Sequence, residues 1–429
     1  MRIYKNSPAS DWPQLITRPA SNSGGMEARI QALLHAVKNQ GDQAVYDLTR
    51  QLDGVSLSAL EVTQEEKAVA AGLVDDQLKA AIRQAQANIT TFHQAQWEVP
   101  RIIETMPGVQ CWRRSVPIQR VGLYVPGGTA PLFSTVLMLG VPAILAGCPE
   151  IIICTPPAKD GTVHPAILYT AELIGIHHIY KVGGAQAIGA MAYGTETIPR
   201  VSKLFGPGNQ YVTGAKQLVS RDGIAIDMPA GPSEVLILAD ATANPAFIAA
   251  DLLAQAEHGP DSQCLLVTTS EPLLDQVNKE VVRQLEGLPR NAFARQALKN
   301  GRLILVPTLA EGIALTNLYA PEHLIVVTKD VDAVAQRIYN AGSVFLGNLT
   351  PVSVGDYASG TNHTLPTNGY AIAYSGVSLD SFIKKITYQQ LSPEGLRLIG
   401  PLVERMALAE ELMGHGAAIS LRLQTLICS

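Results

Sequence analysis

The chain has 429 residues, of which 47% are hydrophobic and 16% charged, with 36 glycines and 27 prolines. Its 37 acidic side chains exceed the 32 basic ones, giving a formal charge of −5, and no run of like charges gathers on any segment. This length predicts two or more domains with ample core, and the balance excludes disorder, nucleic acid and anionic membrane as expectations.

The five cysteines, Cys111, Cys148, Cys154, Cys264 and Cys428, are odd in number and never spaced as C-x-x-C. That pattern points to a reducing compartment, the cytoplasm. The opening MRIYKNSPAS lacks an apolar segment after its basic residues, so export is not expected.

In chain order, helices come first. Met26 to Asn39 carries Ile30, Leu33, Leu34 and Val37 on one stripe, and Gly41 supplies a break. Thr63 and Glu66 have capping-box spacing and open a helical region that runs toward Pro100, with a break near Asp75. His35 and His93 are read as solvated helix-face residues. From Arg120 the pattern turns to short β-branched runs, each ending in a glycine or proline loop: Val121–Val125 before Pro126-Gly127-Gly128, and Ile151–Cys154 before Pro156-Pro157. His178–Val182 leads into Gly183-Gly184-Ala185-Gln186, Leu204-Phe205 into Gly206-Pro207-Gly208-Asn209, and Ile224–Met228 into Pro229-Ala230-Gly231-Pro232-Ser233. Between them, Leu132 to Cys148 is uncharged over 17 residues, but Gly140 and Pro142 interrupt it, so it reads as buried helix and loop.

A second series follows: Val235–Leu238, Cys264–Thr268, Leu303–Val306, Leu324–Thr328 and Ser343–Leu346, with helices such as Glu271–Leu285 between some of them. Strands alternating with helices imply parallel sheets with ligand loops at the carboxyl ends of the strands. No low-complexity linker separates the two series, so they are expected to pack closely. The tail reads as a helix from Pro393 to Met413, followed by a half-buried strand in which Ile419, Leu421 and Leu423 alternate with polar residues.

Familiar nucleotide and protease signatures are missing: there is no G-x-G-x-x-G, no Walker A string and no H-E-x-x-H. The helix Asn244–His258 has an N-cap Asn, Pro245 in its first turn and a Gly259-Pro260 stop. Ile248, Leu252, Gln255 and His258 follow one face, so Gln255 and His258 can offer an oxygen and an imidazole nitrogen to one metal. A terminal His that bonds only helix carbonyls is the competing reading. Glu322-His323, placed after Pro321 at the start of a buried strand, can serve proton transfer, or form only a solvated surface pair. Asp356 and His363 lie in a loop of small residues, where a turn-forming Asp is the plain alternative. Glu410 falls late in the tail helix, and His415 follows Gly414, at a position equally suited to a ligand or to an ordinary helix end.

The strings VGLYVPGGTAPLFSTVLMLGVPA, VGGAQAI, FGPGNQYVT, AIDMPAGPSEVL, QAEHGPDSQ, YAPEHLIV, AGSVFLG and GDYASGTNHTLPT occur in this order. Together they closely resemble the histidinol dehydrogenase family, and the helical start and the tail extend the likeness over nearly the whole chain. The resemblance implies one zinc ion per subunit, held by Gln255, His258, Asp356 and His415, with imidazole and amino nitrogens of L-histidinol completing its shell. It further implies His323 as base, Glu322 as water-activating carboxylate, and Ser233, His363 and Glu410 as substrate contacts. Tyr124, Gln186 and Asn209 match the family's NAD contacts.

The implied reaction oxidises L-histidinol through the aldehyde to L-histidine with two NAD. The implied fold has two incomplete Rossmann-like domains and a C-terminal helix-strand arm exchanged within a homodimer. The implied bounds are an arm at 1–20, a first α/β domain of 21–124 with 235–377, a second of 125–234, and a dimerisation arm of 378–429. Three rivals stay open: aldehyde oxidation through a Cys148 thiohemiacetal, a relative acting on another amino alcohol or polyol, and a noncatalytic metabolite-binding module. His164, His177 and His178 are given no role.

Overall fold

The computed structural model describes residues 1–19, 25–127, 130–289 and 291–427; Gly128, Cys428 and the expected boundary at 20–21 lie outside them. The chain divides into two units, Met1–Ala95 with Ile118–Phe382, and Gln96–Pro117 with Ile383–Ser429.

The larger unit holds two sheets. One has six strands in the order Arg2–Lys5, Arg302–Leu305, Gln263–Thr268, Glu234–Ala239, His323–Val327 and Ser343–Leu346. Every pairing in it is parallel. Successive side chains of a strand face opposite sides. Here both sides are cores: Val235, Ile237, Leu266 and Ile325 fill one, while Leu236, Leu238, Leu265 and Leu324 fill the other. Burial on both faces explains why these strands read as unbroken apolar runs rather than alternating ones.

The other sheet has five parallel strands in the order His178–Lys181, Glu150–Thr155, Arg120–Tyr124, Lys203–Phe205 and Ala225–Ile226. The expected boundary at 124 assigns Arg120–Tyr124 to the other domain; its ladder bonds to Glu150–Thr155 and Lys203–Phe205 place it in this sheet. Ile30, Leu34 and Val37 of the helix Met26–Leu48 share a core with Ile152, Ile188 and Met191, so the helical start also packs here.

The break expected at Gly41 is present: the residue is non-helical, and Met26–Leu48 consists of two helical stretches joined by a kink there. At φ 54 the chain bends, and a β-carbon at this position would collide with the Glu196 carboxylate, which accepts from the Asp42 N–H at 2.7 Å. The Thr63–Glu66 capping box is formed, and after a break a new helix, Asp76–Gln94, begins at the N-cap Asp75. His93, expected in solvent, is buried, because it extends that helix's apolar line of Ile82, Ala85 and Ile89. The uncharged stretch after Leu132 forms the buried helix Phe133–Ala146. Among the described residues, no helix is long and apolar enough to cross a membrane.

The smaller unit pairs Val109–Pro117 antiparallel with both Ile103–Met106 and Ile383–Leu391. Trp112 and Tyr388 are cross-strand partners whose rings stack 5.5 Å apart. Two helices follow, Pro393–Ala409 and Met413–Ile427. The tail is therefore helical where a strand was expected. Ile419 and Leu423 are four apart and pack over Gly400, which a helix permits, while Leu421 is left exposed. The unit exposes Leu398, Leu402, Met406, Leu408, Leu412 and Met413.

Candidate active site

The helix Leu309–Tyr319 ends on Ala320 in the left-handed conformation, φ 51, and Pro321 cannot extend it. The chain then enters the strand His323–Val327, which leaves Glu322 and His323 buried at the amino end of the six-stranded sheet. His323 Nδ1 stands 3.3 Å from the Glu234 carbonyl and 3.5 Å from Glu322 Oε2. The Glu234 N–H donates to that same Glu322 oxygen at 2.8 Å. On the other side of the ring, Nε2 lies 3.4 Å from Asp356 Oδ1. Burial alone would push the His323 ring down, but Glu322 and Asp356 outweigh it and raise the ring to about 10.

Asp356 sits on the short helix Val352–Tyr357, which packs against the helix Pro245–Ala256. Burial opposes its charge, yet His323, His363 and His258 together hold its carboxyl below the usual range. Gln255 is buried on Pro245–Ala256, and neither atom of its amide has a hydrogen-bond partner among the described residues. His258, just past the helix end, is exposed. His363 Nδ1 faces the Asp356 carbonyl at 2.9 Å and must donate to it, so Nε2, 3.2 Å from Thr135 Oγ1, accepts from that hydroxyl. Burial lowers the His363 ring, in keeping with this neutral form.

Tyr124, Gln186 and Asn209 lie at or just beyond the carboxyl ends of strands in the five-stranded sheet. Tyr124 is buried, which pushes its phenol to about 12, and its oxygen accepts from the Gly184 N–H at 3.1 Å. Asn209 caps the helix Gln210–Arg221, with Oδ1 accepting from Tyr211 and Val212 at 3.0 and 3.1 Å. Carboxyl-end placement does not extend to Ser233, Glu322 and His323, which precede or open their strands. The physical reason is the connection: chain leaving Ala225–Ile226 feeds through Ser233 directly into the amino end of Glu234–Ala239.

The histidinol dehydrogenase family model matches residues 16–423. The chain belongs to the histidinol dehydrogenase family. Histidinol dehydrogenase of Bacteroides thetaiotaomicron is 59% identical over 426 residues, covering 99% of this chain and 100% of that protein. The crystal structure of histidinol dehydrogenase from Elizabethkingia anophelis superposes with a TM-score of 0.97 at 55% identity, covering 99% of this chain and 98% of the other. An acetylating aldehyde dehydrogenase from Geobacillus thermoglucosidasius, at 14% identity and a TM-score of 0.50, shares the fold over 88% of this chain and 93% of its own.

For a histidinol dehydrogenase family member, the metal question turns on donor chemistry. Among the described residues, no group of three or more His, Cys, Asp or Glu side chains comes together to hold a metal. The ligand set expected from the family draws only His258 and Asp356 of that kind from the larger unit. The unpartnered buried amide of Gln255, on the helix against which the helix of Asp356 packs, nevertheless fits a cation, since an unbonded buried amide oxygen is otherwise unfavourable. Glu410 and His415 belong to the smaller unit, where both are exposed, Glu410 closing the helix Pro393–Ala409. Cys148 is buried against the Phe382 carbonyl, and burial pushes its thiol to about 11, so it is a poor nucleophile at neutral pH.

Sequence reading passed over Glu234, although a lone acid opening the apolar run Glu234–Ala239 was a visible signal. It also passed over Asp251, one turn before Gln255. Burial raises the Asp251 carboxyl from 3.8 to about 6, against the opposing Val352 amide. The folded state thus holds this proton more tightly than the unfolded chain, so stability falls as pH rises from 3.8 to about 6 and then levels. Asp251→Asn is expected to stabilise the fold by about 1–3 kcal/mol near pH 8, with the gain vanishing near pH 4, as read by urea unfolding.

Proposed function

We propose that this chain oxidises L-histidinol to L-histidine in two hydride transfers to NAD, with histidinal held between them. The observation that carries this reading is the buried Glu322–His323–Asp356 constellation in a chain that matches the family over residues 16–423. A hydride leaves an alcohol carbon only as its hydroxyl proton departs; Glu322 and Asp356 favour the charged ring, so His323 must first release its own proton, after which it is the buried ring placed to take the hydroxyl proton. The aldehyde must then add water before a second hydride can leave. Glu322, oriented by the Glu234 N–H, polarises that water, and His323 again removes a proton.

Gln255, His258, Asp356 and, from the exchanged arm of a second copy, His415 would hold zinc, which would supply a fixed anchor for the substrate's imidazole and amino nitrogens and draw the Asp356 charge away from His323. Ser233, His363 and Glu410 contact the substrate in this reading. For His363 to do so, Thr135 must release Nε2. Tyr124, Gln186 and Asn209, all at the five-stranded sheet, bind NAD in one of two incomplete Rossmann-like domains. The exposed apolar residues of the smaller unit support an exchanged arm that covers them with a second copy in a cytoplasmic homodimer.

The test is to supply L-histidinol, L-histidinal, a simple polyol and other amino alcohols separately with NAD. Turnover of the first two with release of L-histidine supports the reading, and preference for another alcohol overturns it.

A further inference from the structure

The helix Met26–Leu48 runs into a wider π turn, Thr49–Asp53, closed by Gly54 at φ 71. Such turns are rare and re-aim a side chain away from the regular helical track. This one brings Asp53 Oδ2 to 3.3 Å from Gln186 Nε2. Lys159 Nζ donates to the Asp53 carbonyl at 2.7 Å and fixes the backbone from its other side.

Gln186 is 1% exposed, and its Oε1 has no hydrogen-bond partner among the described residues. A buried amide oxygen left in this state points to a ligand that supplies the donor. Its direction is set by its neighbour. The Gln186 nitrogen donates to the Asp53 carboxyl oxygen, which turns the amide oxygen away. That oxygen lies beside Gly184, the first residue of the helix Gly184–Tyr193, where an added β-carbon would stand only 2.7 Å from it. Gly184, at φ 63, keeps the space open, and its N–H bonds the Tyr124 phenol.

We propose that Asp53 is a positioning residue for the dinucleotide. It locks the Gln186 amide so that oxygen rather than nitrogen meets the ligand, and the site therefore takes a donating group such as a ribose hydroxyl or an amide N–H. The proposal rests on the reading of Tyr124, Gln186 and Asn209 as the NAD contacts.

The experiment titrates NADH by fluorescence into the unmodified protein, Asp53→Ala and Asp53→Asn, with steady-state kinetics and thermal unfolding on each. Asp53→Ala is expected to weaken NADH binding and raise KM for NAD by about tenfold, the effect of losing a charge-assisted hydrogen bond. Its kcat at saturating NAD and its KM for L-histidinol stay unchanged. Asp53→Asn keeps an acceptor oxygen and is expected to retain NADH affinity within about threefold. Unaltered NADH affinity in Asp53→Ala overturns the proposal, as does a uniform loss in all parameters with lowered Tm. Absence of NADH binding by the unmodified protein overturns the cofactor reading itself, and this proposal with it.

Discussion

Replacement of His323 by Asn is expected to lower kcat for L-histidinol oxidation by about 10²–10⁴-fold, the range for losing a positioned general base, with NADH affinity unchanged. The ring is buried, and its two nitrogens face carboxylates on opposite sides, 3.5 Å from Glu322 and 3.4 Å from Asp356, so no other side chain stands in its place. Glu322→Gln separates the two oxidations. The amide oxygen still accepts from the Glu234 N–H that now bonds Glu322 at 2.8 Å, so the side chain keeps its place but loses its charge. Alcohol oxidation should persist, while oxidation of the aldehyde falls by about 10²-fold or more. Single-turnover measurements started from L-histidinol and from L-histidinal read the two steps apart. Equal losses in both would remove the distinct role given to Glu322.

Arg18→Met is expected to destabilise the protein by about 3–5 kcal/mol, because it strands a buried charge. The Glu234 side chain is 2% exposed, and Arg18 grips it with Nε at 2.6 Å and Nη2 at 2.8 Å. Arg18 also lies 4.0 Å over the Tyr319 ring and donates to the Tyr319 carbonyl at 2.7 Å. The backbone of Glu234 touches both Glu322 and His323, so the same loss should lower kcat as well as stability. Adding Glu234→Gln to Arg18→Met removes the stranded charge and is expected to recover most of the loss in urea unfolding. A change within about 0.5 kcal/mol for Arg18→Met, the range of an ordinary surface substitution, would show that the pair holds nothing in place.

Local chemistry was the legible part of the sequence. Thr63 with Glu66, and Asn244 with Pro245, mark helix starts because each satisfies backbone donors within three residues of itself. The buried parallel strands were legible because burial on both faces demands unbroken apolar runs. Arg2–Lys5, Ile103–Met106 and Ile383–Leu391 were not, since they are short or largely exposed and take their form from partners distant in the chain. The tail misled for a related reason: Ile419, Leu421 and Leu423 fit a period of two, but the spacing of four between Ile419 and Leu423 equally fits a helix.

Within the site, sequence could offer residue types but not neighbours. Gln255 and His258 are linked by helical spacing, whereas Glu322, His323 and Asp356 meet only through the sheet and the packing of Val352–Tyr357 on Pro245–Ala256. Asp53 and Gln186 are 133 positions apart, a contact that no local pattern carries.

The measurement that bears most directly on the central claim is the count of NADH formed per L-histidine from L-histidinol by the purified protein, before chelation, after it, and with zinc restored. The account predicts two NADH per histidine, lost on chelation and regained with zinc. A single NADH with accumulated aldehyde, or full turnover after the metal is removed, would contradict it.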